Sequence, residues 1–177
     1  MKDIELKMVS ALMKNSRRSD RELARALDIS QPRASRIIKK LEKAGIVREY
    51  TMIPDFAKLG YEIMGITSLN VTEKSGARFE EMRDATVKAE KNNPHAGLMI
   101  VNGAGSKKNR VFIDFYQNYS AYTKVMTNVK QFPFTDIDSL DTVMVDLKEK
   151  ENYRIISMSA IADHLLSMIK RKNEVQA

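Results

Sequence analysis

Residues 19–45 read SDRELARALDISQPRASRIIKKLEKAG, and this stretch decides the fold of the first third of the chain. Ser19 and Glu22 form a capping box, in which the serine oxygen accepts from the Glu22 amide and the glutamate reaches back to the Ser19 amide. A helix therefore begins after Ser19. Asp28 follows its short apolar face and tolerates the left-handed conformation of a tight turn. The stretch thus predicts a short helix, a turn and then a further helix.

This further helix is predicted by its two ends and by its apolar spacing. Ser30 is the expected N-cap, and Pro32 lies in the first turn, where a missing amide hydrogen costs nothing. Gly45 ends the helix at a position that favours the left-handed conformation. The spacing i, i+3, i+4 and i+7 marks one buried face, which consists of Ala34, Ile37, Ile38 and Leu41. The opposite face is cationic and consists of Arg36, Lys39, Lys40 and Lys43.

Two flanking segments extend this helical region. An earlier helix is predicted by the apolar stripe of Ile4, Met8, Ala11 and Leu12. Residues 46–53 read IVREYTMI, which is rich in β-forming residues and ends at a proline, so we predict a wing strand there. Three helices followed by a wing indicate a winged helix-turn-helix domain over residues 1–56.

The sequence pattern changes after a linker at residues 57–60. Residues 61–150 contain segments in the order β-α-β-β-α-β, which predicts a ferredoxin-like domain with two helices on one face of an antiparallel sheet. In the first of these helices, Phe79, Met82 and Val87 are expected to point inward. A C-terminal extension over residues 151–177 holds a last helix at 159–172. Its apolar side consists of Ile161, Leu165, Met168 and Ile169. The fold class is α+β.

Composition and charge narrow the classes of function. The chain has 177 residues and no cysteine, which excludes a disulfide framework and thiol chemistry. Residues 1–60 hold 14 Lys and Arg against 8 Asp and Glu, a net charge of +6, whereas the rest of the chain has a net charge of +1. This asymmetry favours a basic module for a polyanion. No stretch approaches 18 apolar residues, so we predict a soluble, cytoplasmic, nucleoid-associated protein with no membrane partner.

The helical region carries a motif that resembles one known family. The motif consists of Ser19, Glu22-Leu23-Ala24, Ser30, Ile38-Lys39-Lys40-Leu41-Glu42, Gly45-Ile46 and Tyr50, followed by Asp55 and Leu59-Gly60-Tyr61. It resembles the Lrp/AsnC family of leucine-responsive transcription regulators, with Ile37 where many members carry an arginine. The resemblance implies sequence-specific binding of double-stranded DNA by the first domain. It also implies that the second domain assembles a homodimer or an octamer and binds a small-molecule effector at subunit contacts.

The helix-turn-helix prediction also indicates which residues meet DNA. A recognition helix enters the major groove by its early residues, so Gln31, Ser35 and Arg36 are expected to reach base edges, with Arg33 beside them. Phosphate contacts are expected from Lys39, Lys40 and Arg48, and from Arg17 and Arg18 ahead of the capping box. The alternative is a basic face that only meets solvent.

A second candidate site is the loop between the second and third predicted strands. Its small and cationic residues are Gly103, Gly105, Lys107, Lys108 and Arg110. The family commonly has a Gly-Asp-x-Asp-like turn in this loop, whereas residues 103–110 contain no carboxylate. Capture of an amino acid's ammonium group is therefore disfavoured, and we expect either an anionic effector or none. The alternative is a solvated hairpin tip.

No catalytic, cofactor or metal site is expected. His95 and His164 lie in different predicted elements, and no third ligand stands at a matching spacing. We therefore predict that the protein is not an enzyme. Two other functions stay open at this point: an enzyme similar to the sirohaem decarboxylases, which keep a degenerate helix-turn-helix, and an architectural protein that coats DNA with little sequence preference.

Overall fold

A computed structural model of the chain describes residues 1–72, 77–92, 96–105, 107–132, 135–149 and 156–176. In chain order its elements are α1 (Asp3–Lys14), α2 (Asp20–Ala26), α3 (Gln31–Lys43), β1 (Ile63–Val71), α4 (Ala77–Asn92), β2 (Ala96–Gly105), β3 (Lys108–Tyr116), α5 (Tyr119–Gln131), β4 (Thr135–Asp146) and α6 (Ser159–Gln176). The chain divides into two units. The helical unit contains residues 1–53 and α6, and the sheet unit, which begins at Pro54, contains the four strands, α4 and α5.

The predicted helix boundaries of the helical unit are confirmed by local geometry. The Ser19 amide donates to Glu22 Oε2 over 2.7 Å and the Glu22 amide donates to Ser19 Oγ over 3.3 Å, so the capping box is formed. Asp28 and Gly45 have φ angles of 52° and 67°, which place both residues in the left-handed region. Ser30 precedes α3 as its N-cap residue, although its side chain makes no capping hydrogen bond.

The core of the helical unit is built from the predicted apolar stripes. Met8, Leu23 and Leu41 are at most 1% exposed. The complete set of buried core residues is Met8, Ala11, Leu12, Leu23, Ala24, Ala34, Ile37, Ile38 and Leu41. Because the four members from α3 all face this core, the basic side chains of α3 are left on its outer side.

The predicted wing strand at residues 46–53 is wrong. A strand needs a partner strand to accept and donate its backbone hydrogen bonds, and the described residues of the helical unit contain no strand. The amides of Ile46 and Val47 instead donate to the Leu41 carbonyl over 3.0 and 3.3 Å, which closes the end of α3. Further along, the Ser16 hydroxyl donates to the Thr51 carbonyl over 3.3 Å. The segment follows the helices as irregular chain.

The sheet unit has the predicted β-α-β-β-α-β order. Its strands are antiparallel neighbours in the order β2-β3-β1-β4. Side chains from the sheet, α4 and α5 form one core, whose buried members are Leu69, Val71, Met82, Phe112, Tyr116 and Met126. Phe79 packs against this core as expected, but Val87 is 45% exposed, contrary to prediction. Ala85 and Thr86 are partly buried on the covered side of α4, whereas Val87 lies about 140° around the helix axis from Met82 and is exposed.

The last helix forms where it was predicted but buries a different face. Ala162 is fully buried and Ile169 is 5% exposed, whereas Ile161 and Met168 are about half exposed. The expectation that Ile161 and Met168 share the buried side is therefore wrong. The reason is that α6 packs against α1, where the small Ala162 side chain permits a close approach. None of the described helices is long and apolar enough to cross a membrane.

Candidate nucleic-acid interface

The outer side of α3 is a continuous polar surface. Gln31, Arg33, Arg36 and Lys39 are all exposed on it, because Ala34, Ile37, Ile38 and Leu41 occupy the inner side. The Arg36 Nε donates to the Pro32 carbonyl over 3.2 Å. This bond lays the side chain back toward the start of the helix, which is the usual direction of long side chains on a helix. The early part of α3 therefore presents two guanidinium groups on its exposed side.

Lys40, which was predicted to meet phosphate, is joined to α1. Its Nζ lies 2.5 Å from Glu5 Oε1, and the Glu5 side chain is only 8% exposed. The backbone amide of Lys2 donates to the other Glu5 oxygen over 2.8 Å. The hydrogen bonds from Lys40 and Lys2 outweigh desolvation and lower the pKa of the Glu5 carboxyl below its usual value of 4.5. Glu5 thus fixes α3 against the first turn of α1.

Ser35, which was predicted to reach a base edge, is half-buried between α2 and α3. Its hydroxyl donates to the Asp20 carboxylate and also lies 3.2 Å from the Gln31 carbonyl. Asp20 begins α2, so this contact holds the two helices of the turn together. Sequence reasoning missed both Asp20 and Glu5. Glu5 lies three residues before Met8, on the buried side of α1, and an acid at that position signals a buried partner.

A further polar contact connects α3 with the irregular segment that follows it. The Tyr50 hydroxyl donates to Glu42 Oε1 over 2.8 Å. Desolvation, together with this carboxylate, raises the pKa of Tyr50 to about 12, so the hydroxyl remains a donor at neutral pH. Of the other predicted DNA contacts, Arg17 and Arg48 are exposed and Arg18 is half-buried. Arg17 and Arg18 lie between α1 and α2, and Arg48 lies in the segment after α3.

One arginine of the predicted effector loop, Arg110, is partly buried in the sheet unit. Arg110 is half-buried on β3, and its guanidinium donates to Asn102 Oδ1 over 3.1 Å and lies 4.0 Å from the Met82 sulfur. Its Nε is buried and has no hydrogen-bond partner among the described residues. Burial lowers the pKa of this arginine. The other predicted members, Gly103, Gly105, Lys107 and Lys108, lie along the same hairpin, with Lys107 in the left-handed region at φ 62°.

The sheet face away from α4 and α5 carries an apolar patch. Leu69 and Val71 of β1 face the helices, so Ile66 points the other way, and the strand register places Ile113 and Val143 beside it. This open sheet face consists of Ile66, Met99, Val101, Ile113 and Val143, of which Val143 is 63% exposed. Phe56 covers one end by stacking on Phe115 at a centroid distance of 3.8 Å. The patch itself has no cover within the described part of the chain.

The described residues contain no group of three His, Asp or Glu side chains placed to hold a metal ion. His164 is exposed on α6, and His95 lies outside the described residues.

The two units together define a class of protein: a helix-turn-helix DNA-binding unit joined to a ferredoxin-like α+β unit. The family described as winged helix-turn-helix DNA-binding matches residues 1–48. LrpC of Bacillus subtilis, a HTH-type transcriptional regulator, is 30% identical over 139 residues, which span 77% of this chain and 93% of LrpC. This chain belongs to the Lrp/AsnC family of transcriptional regulators.

Further proteins are similar to this chain in sequence or in structure. PH0061 of Pyrococcus horikoshii, a HTH-type regulator, is 47% identical over 58 residues, a segment that spans 33% of this chain and 39% of PH0061. The crystal structure of PH0061 superposes with a TM-score of 0.68 at 24% identity and covers 88% of this chain and 98% of that one. A Neisseria meningitidis regulator, NMB0573, solved as an L-Met complex, superposes with a TM-score of 0.70 at 18% identity, over 89% and 95% of the two chains. These likenesses extend over the helical and sheet units of the fold.

Proposed function

We propose that this protein is a sequence-specific transcription regulator that binds double-stranded DNA through the outer side of α3. The observation that carries the proposal is the exposed row of Arg33, Arg36 and Lys39 on a helix whose inner side is fully packed. The relatives LrpC and PH0061 are transcriptional regulators, which supports a regulatory role over an enzymatic one.

The contacts around α3 divide the candidate DNA-binding residues into those that are free to contact base edges and those that hold α3 in place. Gln31, Arg33 and Arg36 are exposed near the start of α3, where a recognition helix meets base edges. Ser35 supports them by joining α3 to Asp20. Phosphate contacts are assigned to the exposed cations Lys39, Arg48 and Arg17, to the half-buried Arg18, and to the Lys40 ammonium group that Glu5 holds in place.

Arg36→Ala and Lys39→Ala separate base reading from phosphate contact. Arg36→Ala is expected to cost about 1 to 3 kcal/mol on the preferred DNA sequence and to reduce the preference for it. Lys39→Ala is expected to weaken all sequences alike and to reduce the slope of log K against log salt by about one unit. Fluorescence anisotropy at several salt concentrations measures both, with Lys124→Ala on α5 as the control. Equal, sequence-independent losses in both variants would favour an architectural DNA-coating protein.

We also propose that the open sheet face joins two copies of the chain. A contiguous apolar patch is costly to leave in water, and two such faces can cover each other with two-fold symmetry. A dimer also supplies the second recognition helix that a useful DNA site needs. Val143→Asp is expected to produce monomers in light scattering, whereas Val87→Asp, at an exposed valine on α4, is expected to leave the assembly unchanged. If the wild type formed octamers and Val143→Asp formed dimers, the open sheet face would join dimers into octamers and would not form the dimer itself.

A third proposal is that an anionic effector binds at Arg110. This cation is half-buried, its Nε is unpaired, and an incoming carboxylate or phosphate would supply a bidentate acceptor. The L-Met complex of the Neisseria regulator supports small-molecule binding in proteins of this fold. A ligand at 100 times its dissociation constant adds about 2.7 kcal/mol to stability.

The effector proposal is tested by thermal shift with Arg110→Gln, and with Lys124→Gln, at an exposed lysine of α5, as the charge-matched control. Dicarboxylates, inorganic phosphate and free amino acids are compared. Stabilisation by an anion that is lost in Arg110→Gln and kept in Lys124→Gln is expected. Stabilisation by a neutral amino acid that Arg110→Gln retains would contradict the proposal. Absorbance after mixing with sirohaem tests the enzymatic alternative, and no spectral change is expected.

A further inference from the structure

The C-terminal helix α6 packs antiparallel to α1 within the helical unit. Lys14, at the end of α1, pairs with Asp163, near the start of α6, over 2.6 Å. In the middle of α1, the buried Ser10 hydroxyl donates to the Ala162 carbonyl over 2.9 Å. At the other end, the Lys172 ammonium lies 3.9 Å from the Asp3 carboxylate. The end of α6 is therefore held beside the first turn of α1.

This arrangement places α1 between two cationic elements. Its first turn carries Asp3, which faces Lys172 of α6, and Glu5, which faces Lys40 of α3. Successive helical residues are 100° apart around the axis, so positions 3 and 5 point to opposite sides of α1. The basic end of α6 and the last turn of α3 thus flank the same turn of α1, separated by about one helix diameter, roughly 10 to 12 Å.

The charge around that turn is strongly positive. The two acids of the turn already face lysines, whereas most of the surrounding cations are exposed. These exposed cations are Lys2, Lys7, Lys39, Lys170, Arg171 and Lys172. Like charges on neighbouring helices repel each other, and a bound polyanion relieves this repulsion. A DNA backbone presents a negative charge about every 1.7 Å of helix axis and matches this arrangement.

We propose that Lys170, Arg171 and Lys172 of α6 bind the DNA backbone and extend the phosphate contacts of α3. The proposal rests on DNA binding by the helical unit. The three side chains carry no base-reading geometry, so their contribution is independent of sequence and strongly dependent on salt. The α6 helix is then a second, non-specific contact that increases residence on DNA while α3 selects the site.

The test compares two triple variants of the full-length chain that remove the same charge. The α6 triple is Lys170→Gln, Arg171→Gln and Lys172→Gln; the control triple is Lys88→Gln, Lys124→Gln and Lys130→Gln, at exposed lysines of the sheet unit. The slope of log K against log salt is expected to fall by about two to three units for the α6 triple. The fall is expected to be the same on preferred and random DNA, and the control triple should keep the wild-type slope.

Two outcomes overturn the proposal. If both triples reduce the slope equally, the effect is only one of net charge. If the α6 triple keeps the wild-type slope while Arg36→Ala loses binding, DNA binding through α3 stands and the role of α6 falls. Because Lys172 also faces Asp3, a double variant that spares it, Lys170→Gln with Arg171→Gln, keeps the test independent of α6 packing. This double variant should melt like the wild type and reduce the slope by about two units.

Discussion

The outer side of α3 and the open face of the sheet are both exposed, yet they differ in chemistry. None of the large apolar side chains exposed on the protein lies between Gln31 and Lys43, whereas Ile66, Met99, Val101 and Val143 are exposed on the sheet. On α3, each apolar side chain is covered by the neighbouring helices. On the sheet, α4 and α5 cover only one face. One surface therefore suits a hydrated polyanion, and the other suits an apolar partner such as a second copy.

The largest expected effects come from the two cores. Leu41 and Met82 are each at most 1% exposed, so replacing either by alanine is expected to cost about 2 to 5 kcal/mol of stability. Leu41→Ala is expected to abolish DNA binding and leave the assembly intact, because it loosens α3. Met82→Ala is expected to weaken the assembly first. Urea unfolding measures the loss of stability, fluorescence anisotropy measures DNA binding, and light scattering measures assembly. If the two variants lost DNA binding and assembly to the same extent, the division of these functions between the two units would be wrong.

The next effects concern two glycines, one from each unit. A side chain at Gly65 would meet the Tyr116 ring at 2.8 Å, so Gly65→Ala is expected to cost about 1 to 3 kcal/mol through overpacking of the sheet core. Gly45 has free space around it but a φ of 67°, so Gly45→Ala is expected to cost about 1 to 2 kcal/mol through backbone strain alone. Chemical denaturation of both variants checks these values. A stabilising Gly45→Ala would show that the end of α3 is not held in the left-handed conformation.

These differences also show what the sequence could and could not predict. The capping box at Ser19, the turn at Asp28 and the stop at Gly45 are decided by residues close together in the chain, so their signals are local. The order of elements in the sheet unit follows from hydrophobic periodicity. By contrast, the wing strand fails because no partner strand is present in the described helical unit, and the exposure of Ile161 depends on which side of α6 packs against α1. The spacing of five residues between Met82 and Val87, which is off the i, i+3, i+4 stripe, already indicates that the two side chains do not share one face.

The candidate DNA site was predicted in part for the same reason. The exposure of Gln31, Arg33 and Arg36 follows from the apolar stripe of α3, which is visible in the sequence. The contacts of Ser35 with Asp20 and of Lys40 with Glu5 join residues 15 and 35 positions apart. The sequence marks Glu5 as an acid on a buried face, but it does not specify which residue pairs with it, because such partners meet only after the helices have packed.

The smallest expected effect is the pH dependence of the Glu5 contact. Its pKa is lowered in the folded protein, so its contribution to stability is present above the unfolded value of 4.5 and is lost as the pH falls through the folded pKa. Thermal melting of the wild type is expected to lose stability below pH 4.5 more steeply than that of Glu5→Gln. Glu81→Gln, at an exposed acid on α4, serves as the control. Parallel acid curves for the wild type and Glu5→Gln would show that this carboxylate does not hold α3.

The most direct measurement is selection of binding sites for the full chain from random double-stranded DNA, followed by sequencing. Reading by α3 and pairing through the sheet together predict an enriched site with two related half-sites whose centres lie about one helical turn apart, roughly 34 to 36 Å, or a multiple of that spacing. Arg36→Ala is expected to weaken the base preference at the same positions in both half-sites. Recovery of DNA with no enriched sequence, at a salt concentration where the chain still binds, would contradict the account.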